Sequence, residues 1–337
     1  MVSANKYNIL SVTLQHFFDK TLYLCTHKIQ HMHPLKFKPI VKTLVWGTES
    51  WELSGVKSNE SVVTEGPFAG KTIAELTKEY KGQLIGEHVY ENTGDEFPML
   101  VKYIDAKQDL SIQVHPNDEL AAVRHNGSKG KTEMWYVVDA TPDAHLLVGL
   151  KEKLTPDEYA AKVADGTITD ALCRYNVKPG DVFFLPAGRI HAICGGCFIA
   201  EIQQTSDITY RIFDYNRPGL DGKPRQLHTE WAKDAIDYTV YKDYRTEYTP
   251  AQDEEMEVVN CPYFTTSIYD LTLPYAKDLS GIDSFMVVMC LKGSGTLEVD
   301  GEEMSIGQGE TVLIPADADD VCFIPDEGMK VLTSYIR

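Results

Sequence analysis

Hydrophobic and polar residues alternate in short runs over most of this 337-residue chain, a pattern that is typical of β-strands. Strand-like runs extend from Met99 to Ile112, from Val177 to Leu185 and from Phe198 to Gln203. Glycine, proline and aspartate interrupt these runs at short spacing, as they do in β-sandwiches and barrels. The pattern therefore predicts a mainly β fold.

Two segments have the spacing and the capping residues of short helices. Thr72 precedes Ile73, Leu76 and Tyr80, which recur at helical spacing and would share one face. The run Thr155-Pro156-Asp157-Glu158 combines a cap, a first-turn proline and a glutamate three residues after the cap. We expect this second helix to end near Gly166 and another short helix to reach about Tyr175. Residues 155–175 are thus predicted to be a small helical insert between two β-rich segments.

One short sequence pattern occurs twice. A glycine, an acidic residue, a strand and a Pro-Ala pair follow one another in Gly180–Ala187 and again in Gly309–Ala316. Such self-similarity indicates an internal duplication, and we interpret it as two jelly-roll barrels in one chain. A histidine, His191, follows the first copy only, so a metal site is expected in the first barrel and not in the second.

These patterns divide the chain into three parts. Residues 1–31 are rich in histidine, lysine and threonine and are predicted to be an N-terminal extension outside the fold. Residues 32–245 form the first predicted domain, which contains the helical insert. The polar, acidic stretch 246–255 begins the second domain, residues 246–337, in which Asp300-Gly301 predicts a hairpin turn.

Composition and charge exclude several classes of protein. Apolar residues make up 43% of the chain, enough for a buried core, and the net charge is −18. A chain this acidic is a poor binder of nucleic acid or of anionic membranes. The seven cysteines show no disulfide framework, which favours reduced thiols and a cytoplasmic location. The sequence does not indicate an oligomeric state.

Candidate metal ligands occur in three strand-like segments. Residues two apart on a strand face the same side, so Gln113 pairs with His115 and Lys131 pairs with Glu133. If these segments and His191 line one barrel, two imidazoles, a carboxylate and an amide converge. Such a ligand set suits Zn²⁺ and equally non-haem iron, so the ligand types alone leave the metal open.

Two cationic side chains accompany these ligands. Arg211 keeps its charge and could hold a phosphate or an enediolate oxygen, or could simply pair with Asp207 or Asp214 on the surface. Lys131 could move protons, or could only neutralise Glu133 or bind phosphate.

Taken together, five segments resemble the short bacterial form of the type I mannose-6-phosphate isomerases, a family within the cupin superfamily. The matching segments are Glu49–Ser54, Ser111–Pro116, Gly130–Tyr136, Pro186–Ala192 and Glu201–Arg211. The resemblance extends from about Leu35 to the C-terminus. One departure is that Glu49 follows Trp46-Gly47 almost at once, where the family usually has a longer stretch.

The resemblance implies two cupin jelly-roll barrels and a zinc-dependent aldose–ketose isomerase, which interconverts mannose 6-phosphate and fructose 6-phosphate through an enediol. One Zn²⁺ per chain would be bound by the implied ligands Gln113, His115, Glu133 and His191. Arg211 and Lys131 would be catalytic, with a metal-linked water as the alternative proton carrier. Ser111 and Lys131 would bind the sugar phosphate.

Two alternatives stay open at this point. An iron-dependent cupin oxygenase would use the same two histidines and glutamate. A non-catalytic sugar-phosphate-binding cupin would keep the pocket without turnover, and the shortened segment after Trp46-Gly47 is compatible with it.

Overall fold

The fold is known from a computed structural model, in which residues 31–337 are described. Strands account for most of the regular structure in this range, and the helices are short. The prediction of a mainly β fold is therefore confirmed. The predicted extension, residues 1–31, lies outside the described residues apart from its last position.

The helices confirm most of the capping predictions. Residues 31–337 contain six α-helices: α1 (Ile73–Tyr80), α2 (Gly82–Ile85), α3 (Glu87–Thr93), α4 (Asp118–Arg124), α5 (Pro156–Asp165) and α6 (Thr229–Ala235). Thr72 and Thr155 each close a capping box with a glutamate three residues later, and Gly166 ends α5 in the left-handed conformation.

The prediction that a second short helix of the insert reaches about Tyr175 is wrong beyond Ala171. A 3₁₀ turn covers Ile168–Ala171, and Leu172–Asn176 is a strand. This strand forms an antiparallel ladder with His145–Leu150, and those inter-strand hydrogen bonds outweigh the local helical tendency.

Within residues 31–337 the strands form three antiparallel sheets. The seven-stranded sheet contains, in spatial order, β14 (Arg245–Thr246), β10 (Val182–Leu185), β7 (Glu133–Ala140), β12 (Cys197–Gln204), β5 (Met99–Ala106), β3 (Gly47–Ser54) and β2 (Ile40–Leu44). The five-stranded sheet contains β13 (Tyr210–Phe213), β6 (Ile112–Val114), β11 (His191–Ile193), β8 (His145–Leu150) and β9 (Leu172–Asn176).

The stretch from Met99 to Ile112 is not one strand. It divides into β5 and β6, which belong to different sheets. The turn at residues 107–111 carries the chain from one sheet to the other. Similarly, only Val182–Leu185 of the predicted run from Val177 is a strand, because Gly180 has a positive φ in the preceding turn.

The seven-stranded and five-stranded sheets pack face to face. One buried cluster joins Trp135 and Phe183 of the first sheet to Leu146, Val148 and Ile193 of the second. The space between the two sheets therefore receives side chains from both.

The nine-stranded sheet contains most of the C-terminal part of the chain. Its main path is β15 (Glu255–Cys261), β16 (Phe264–Leu271), β21 (Asp320–Tyr335), β18 (Met286–Val299), β20 (Thr311–Ile314), β1 (Leu35–Lys38) and β4 (Val62–Val63), while β17 (Tyr275–Asp278) pairs with β21 and β19 (Glu302–Gly307) with β18. Asp300 and Gly301, both at positive φ, turn the chain between β18 and β19, as predicted.

The two copies of the repeated pattern adopt the same turn. The Asp181 carboxylate accepts a hydrogen bond from the backbone N–H of Lys178, and the Glu310 carboxylate accepts one from Gly307. The backbone N–H of Asp181 also donates to the carbonyl of Lys178, and that of Glu310 donates to the carbonyl of Gly307. The repeated sequence thus produces the same local structure before β10 and before β20.

None of the three described sheets closes on itself, so the two jelly-roll barrels are not confirmed and stay a prediction. In the described part of the chain, we find no helix with the length and apolar character needed to cross a bilayer.

Candidate metal centre

Three predicted site residues lie side by side in the five-stranded sheet. Gln113 of β6 is directly opposite His191 of β11 on one side and Arg211 of β13 on the other. Directly opposed residues of an antiparallel ladder share a face. The Gln113 Nε2 and His191 Nε2 atoms are 3.3 Å apart.

Both candidate histidines are oriented by backbone carbonyls. His115 Nδ1 is 2.8 Å from the carbonyl of Ile208, and His191 Nδ1 is 2.8 Å from that of Arg189. A carbonyl only accepts, so each Nδ1 carries the proton and each Nε2 keeps its lone pair. This arrangement prepares both Nε2 atoms to bind a cation.

Burial keeps the two imidazoles neutral. Each side chain is almost fully buried, and burial, followed by the charge of Lys131, lowers the pKa of both rings. The pKa of His115 falls well below its ordinary value, and that of His191 falls to about 3. Both rings are therefore in the form that binds metals at neutral pH.

The seven-stranded sheet contributes a buried carboxylate opposite the histidines. Glu133 Oε2 is 3.4 Å from His115 Nε2, and Glu133 Oε1 is 3.3 Å from His191 Nε2. The Lys131 ammonium lies 2.7 Å from Oε2, whereas Oε1 has no hydrogen bond within residues 31–337. Burial, followed by the charge of Glu201, raises the pKa of Glu133 to about 7. An unpartnered oxygen on a buried carboxylate is costly, and a bound cation relieves that cost.

These three residues form a cluster that fits a metal ion. One ligand atom from each of His115, Glu133 and His191 lies within 4.8 Å of the others, and no further such group occurs within residues 31–337. Two histidines and one carboxylate match the donor set of a catalytic zinc site and also that of non-haem iron.

Lys131 lies against this cluster. Its Nζ is 2.7 Å from Glu133 Oε2 and 3.0 Å from His115 Nε2, and the side chain is buried. The sequence predicted that Lys131 and Glu133, two residues apart, would lie close together, and in the structure their side chains are in contact.

Two charged residues of the same region were not among the sequence-predicted site residues. Lys102 and Glu201 are opposed in the ladder of β5 and β12, with Lys102 Nζ 2.8 Å from Glu201 Oε1. Glu201 Oε1 is also 3.8 Å from Lys131 Nζ, and Glu201 Oε2 accepts a 2.6 Å hydrogen bond from Trp135.

The opposite charges of Lys102 and Glu201 stabilise each other. Burial opposes ionisation of Glu201, but the ammonium groups of Lys102 and Lys131 outweigh it and lower its pKa to about 2. Burial likewise opposes the charge of Lys102, and the carboxylates of Glu201 and Glu49 outweigh it and raise its pKa. The available sequence signal was a charged residue inside a mostly apolar strand: Glu201 is the one charged residue of β12, and Lys102 is flanked by apolar residues in β5.

Arg211 and Ser111 are less directly connected to the cluster. Arg211 Nη1 donates to the carbonyl of Gln226, its buried Nε has no hydrogen-bond partner within residues 31–337, and burial lowers its pKa. Its register opposite Gln113 places it on the face that bears His191. Ser111 is buried just before β6, and among the described residues no hydrogen bond joins its side chain to the cluster.

Two family models match this chain. Residues 36–169 match the catalytic domain of type I phosphomannose isomerase, and residues 254–323 match the cupin domain of mannose-6-phosphate isomerase. The first range includes His115, Lys131 and Glu133, whereas His191 and Arg211 lie between the two ranges.

Curated relatives match over most of their length. Mannose-6-phosphate isomerase ManA of Bacillus subtilis (strain 168) is 33% identical over 301 residues, which cover 84% of this chain and 93% of the relative. Mannose-6-phosphate isomerase of Streptococcus mutans is 33% identical over 268 residues, which cover 79% of this chain and 82% of the relative.

A solved structure agrees with these relatives. The mannose 6-phosphate isomerase from Bacillus subtilis superposes with a TM-score of 0.81 at 29% identity, covering 90% of this chain and all of that one. The chain therefore belongs to the type I mannose-6-phosphate isomerase family.

Proposed function

We propose that this protein interconverts mannose 6-phosphate and fructose 6-phosphate through an enediol, with one zinc ion per chain. The observation that carries the proposal is the buried cluster of His115, Glu133 and His191 with the Lys131 ammonium 2.7 Å from Glu133. This cluster occurs in a chain that matches mannose-6-phosphate isomerases over most of its length.

The zinc ligands would be His115, Glu133 and His191, joined by Gln113. Half a turn of the Gln113 carboxamide would direct its oxygen instead of its nitrogen towards His191 Nε2. When bound, zinc supplies a Lewis acid that polarises the substrate's carbonyl oxygen.

The reaction moves one proton between neighbouring carbons of the open-chain sugar. A proton leaves C2 of mannose 6-phosphate and O1 gains one to give the enediol; O2 then loses its proton and C1 gains one to give the ketose, so the two sugars are isomers. Lys131 is our candidate for carrying this proton, because it is a buried amine beside the cluster.

Two other side chains would act on the substrate's negative charge. Arg211 lies on the ligand-bearing face with an unpartnered Nε, and it would stabilise the enediolate oxygen. Ser111 and Lys131 would bind the sugar phosphate.

The test is an assay of fructose 6-phosphate formation from mannose 6-phosphate by the purified protein. We would run it on the protein as isolated, after chelation, and after addition of Zn²⁺ or Fe²⁺. We expect activity to be lost on chelation and restored by Zn²⁺, and the Glu133→Gln variant to stay inactive because it loses a charged ligand.

Other outcomes would identify the alternatives. Folded, zinc-loaded protein that binds mannose 6-phosphate without turnover would indicate a non-catalytic sugar-phosphate-binding cupin. Consumption of oxygen that depends on Fe²⁺ would indicate a cupin oxygenase.

A further inference from the structure

A cavity outside the metal cluster lies where the nine-stranded sheet meets the rest of the protein. It has a volume of about 250 Å³ and is lined by α3 and the residues after it, by Lys129, by Gln204 and Thr205, and by the segments 262–263 and 336–337. None of the metal-cluster residues lines it. Since Gln203 is opposite Glu133 and Gln204 is the next residue on β12, Gln204 faces the other side of the sheet. The cavity is therefore separate from the metal centre.

Some polar groups in its wall are already satisfied. The Asp118 carboxylate accepts hydrogen bonds from Gly130 N, Gln204 Nε2 and Tyr263 Oη. The Gln204 Oε1 atom accepts one from Thr132 N at 2.8 Å. These contacts leave Asp118 and Gln204 little capacity to bind a ligand.

Other polar groups lining the cavity have no partner within residues 31–337. Thr205 is only 7% exposed, yet its Oγ1 has no hydrogen bond. The Nε2 atom of His88 is also buried and has no hydrogen bond. The exposed side chains of Lys129 and Glu96 also line the cavity and supply one charge of each sign. Because buried polar atoms are normally paired, the unpartnered Thr205 Oγ1 and His88 Nε2 mark this cavity as a place where a hydrogen-bonding ligand can bind.

The chemistry of these groups selects the class of ligand. The ammonium of Lys129 only donates hydrogen bonds, the carboxylate of Glu96 only accepts them, and the Thr205 hydroxyl does both. A molecule whose hydroxyls both donate and accept can satisfy all of them. Val89, Pro98 and Ile336 add apolar contacts for C–H groups. The volume lies just below the range of drug-sized pockets, which suits a single sugar ring.

We propose that this cavity is a second binding site, which takes a monosaccharide or its phosphate ester through an array of hydroxyl groups. The site does not depend on the proposed isomerase activity, because it shares no residue with the metal cluster.

The proposal is tested by titration calorimetry of the full chain with D-mannose and, separately, with D-mannose 1-phosphate. We expect one binding event that the Thr205→Val and Glu96→Gln variants each weaken about tenfold, the loss typical of a hydrogen bond removed from a charged or buried group. Thr205→Ser keeps the hydroxyl and is the matched control, so its affinity should stay within about twofold of the wild type. Glu96 is exposed, so its substitution leaves the fold intact.

The two probes distinguish the sources of the ligand. Tighter binding of the phosphate ester, lost in a Lys129→Met variant, would identify a sugar phosphate, whereas equal affinities would identify the free sugar. Absence of binding by both probes overturns the proposal. Binding that Thr205→Val and Glu96→Gln leave unchanged also overturns it, because the sugar would then be bound elsewhere.

Discussion

The role of Arg211 stays a prediction from the sequence, and the structure adds the surroundings of its side chain. The guanidinium is partly buried, and its charge is opposed by burial and by Arg225. An unpartnered donor in such a place is prepared for an anionic group that the substrate would bring.

We expect the Arg211→Ala variant to lose about 10²- to 10³-fold in kcat, as happens when one preorganised donor is removed from a developing oxyanion. Its metal content should equal that of the wild type, because Arg211 is not among the proposed ligands. The measurements are steady-state kinetics and metal analysis of the purified variant. Near-normal turnover would contradict the role given to Arg211.

Glu52 is a buried carboxyl group outside the metal centre. It lies on β3, accepts a hydrogen bond from Ser50, and is 6% exposed. Burial raises its pKa from 4.5 to about 7. The folded protein therefore keeps the Glu52 proton at pH values where the unfolded chain has released it, and its contribution to stability is lost as pH rises from about 4.5 through about 7.

We expect the Glu52→Gln variant to remove this dependence and to exceed the wild type in free energy of unfolding at pH 8. The difference should be about 3 kcal/mol, since one pKa unit corresponds to about 1.4 kcal/mol. Urea unfolding at pH 5 and pH 8 would measure it, with the exposed Glu65→Gln as control. An equal pH dependence in Glu52→Gln and the wild type would refute the assignment.

At the scale of elements, the shortened segment after Trp46-Gly47 is a tight hairpin. Leu44 of β2 is opposite Gly47 of β3, so the two strands are joined by only two residues. Gly47 has φ +150°, and a Cβ atom there would lie 2.0 Å from the backbone oxygen of Asp105 on β5. Glycine is required because the neighbouring backbone comes so close.

We expect Gly47→Ala to lower the free energy of unfolding by at least about 2 kcal/mol, because β5 would have to move to relieve the clash. Gly281→Ala is the matched control, since no atom lies within 4 Å of the added Cβ. Urea unfolding of both variants gives the comparison. Equal stability of the two variants would show that β5 yields without cost.

The predictions for individual elements succeeded where the signal is local. The caps at Thr72 and Thr155 and the Asp300-Gly301 turn depend on residues within a few positions of each other. The strand at Leu172–Asn176 was missed because its hydrogen-bond partner, β8, is more than 20 residues away along the chain.

At the scale of the whole molecule, the two predicted domains share structure. Leu35 and Lys36 of β1 pair with β20, so the nine-stranded sheet contains strands from both ends of the described chain. Phe97 packs on Phe285 with ring centroids 4.7 Å apart, and Tyr103 donates a hydrogen bond to the carbonyl of Cys290. The domain boundary at residues 245–246 stays a prediction from the sequence, and strands and side chains from its two sides pair and pack with each other.

We expect residues 32–245 expressed alone to lack a cooperative thermal transition. Removing residues 246–337 exposes Phe97, which is fully buried in the whole protein, and leaves β1 without β20. Circular dichroism with heating, compared with the full chain, tests this. A sharp transition in the truncated protein would show that the first predicted domain folds without the second.

The sequence by itself determined the mainly β fold, the helix caps, the repeated turn and the residue types of the metal centre. These features depend on neighbours in the chain or on spacing along one strand, so they can be inferred from the residues alone. The tertiary structure decided that Lys102 forms an ion pair with Glu201 and that the run from Met99 divides between two sheets. It also decided that Thr205 lines a cavity outside the metal cluster. Each of these requires the pairing of strands that are distant in sequence, and that pairing is set by how the sheets bury their faces against each other.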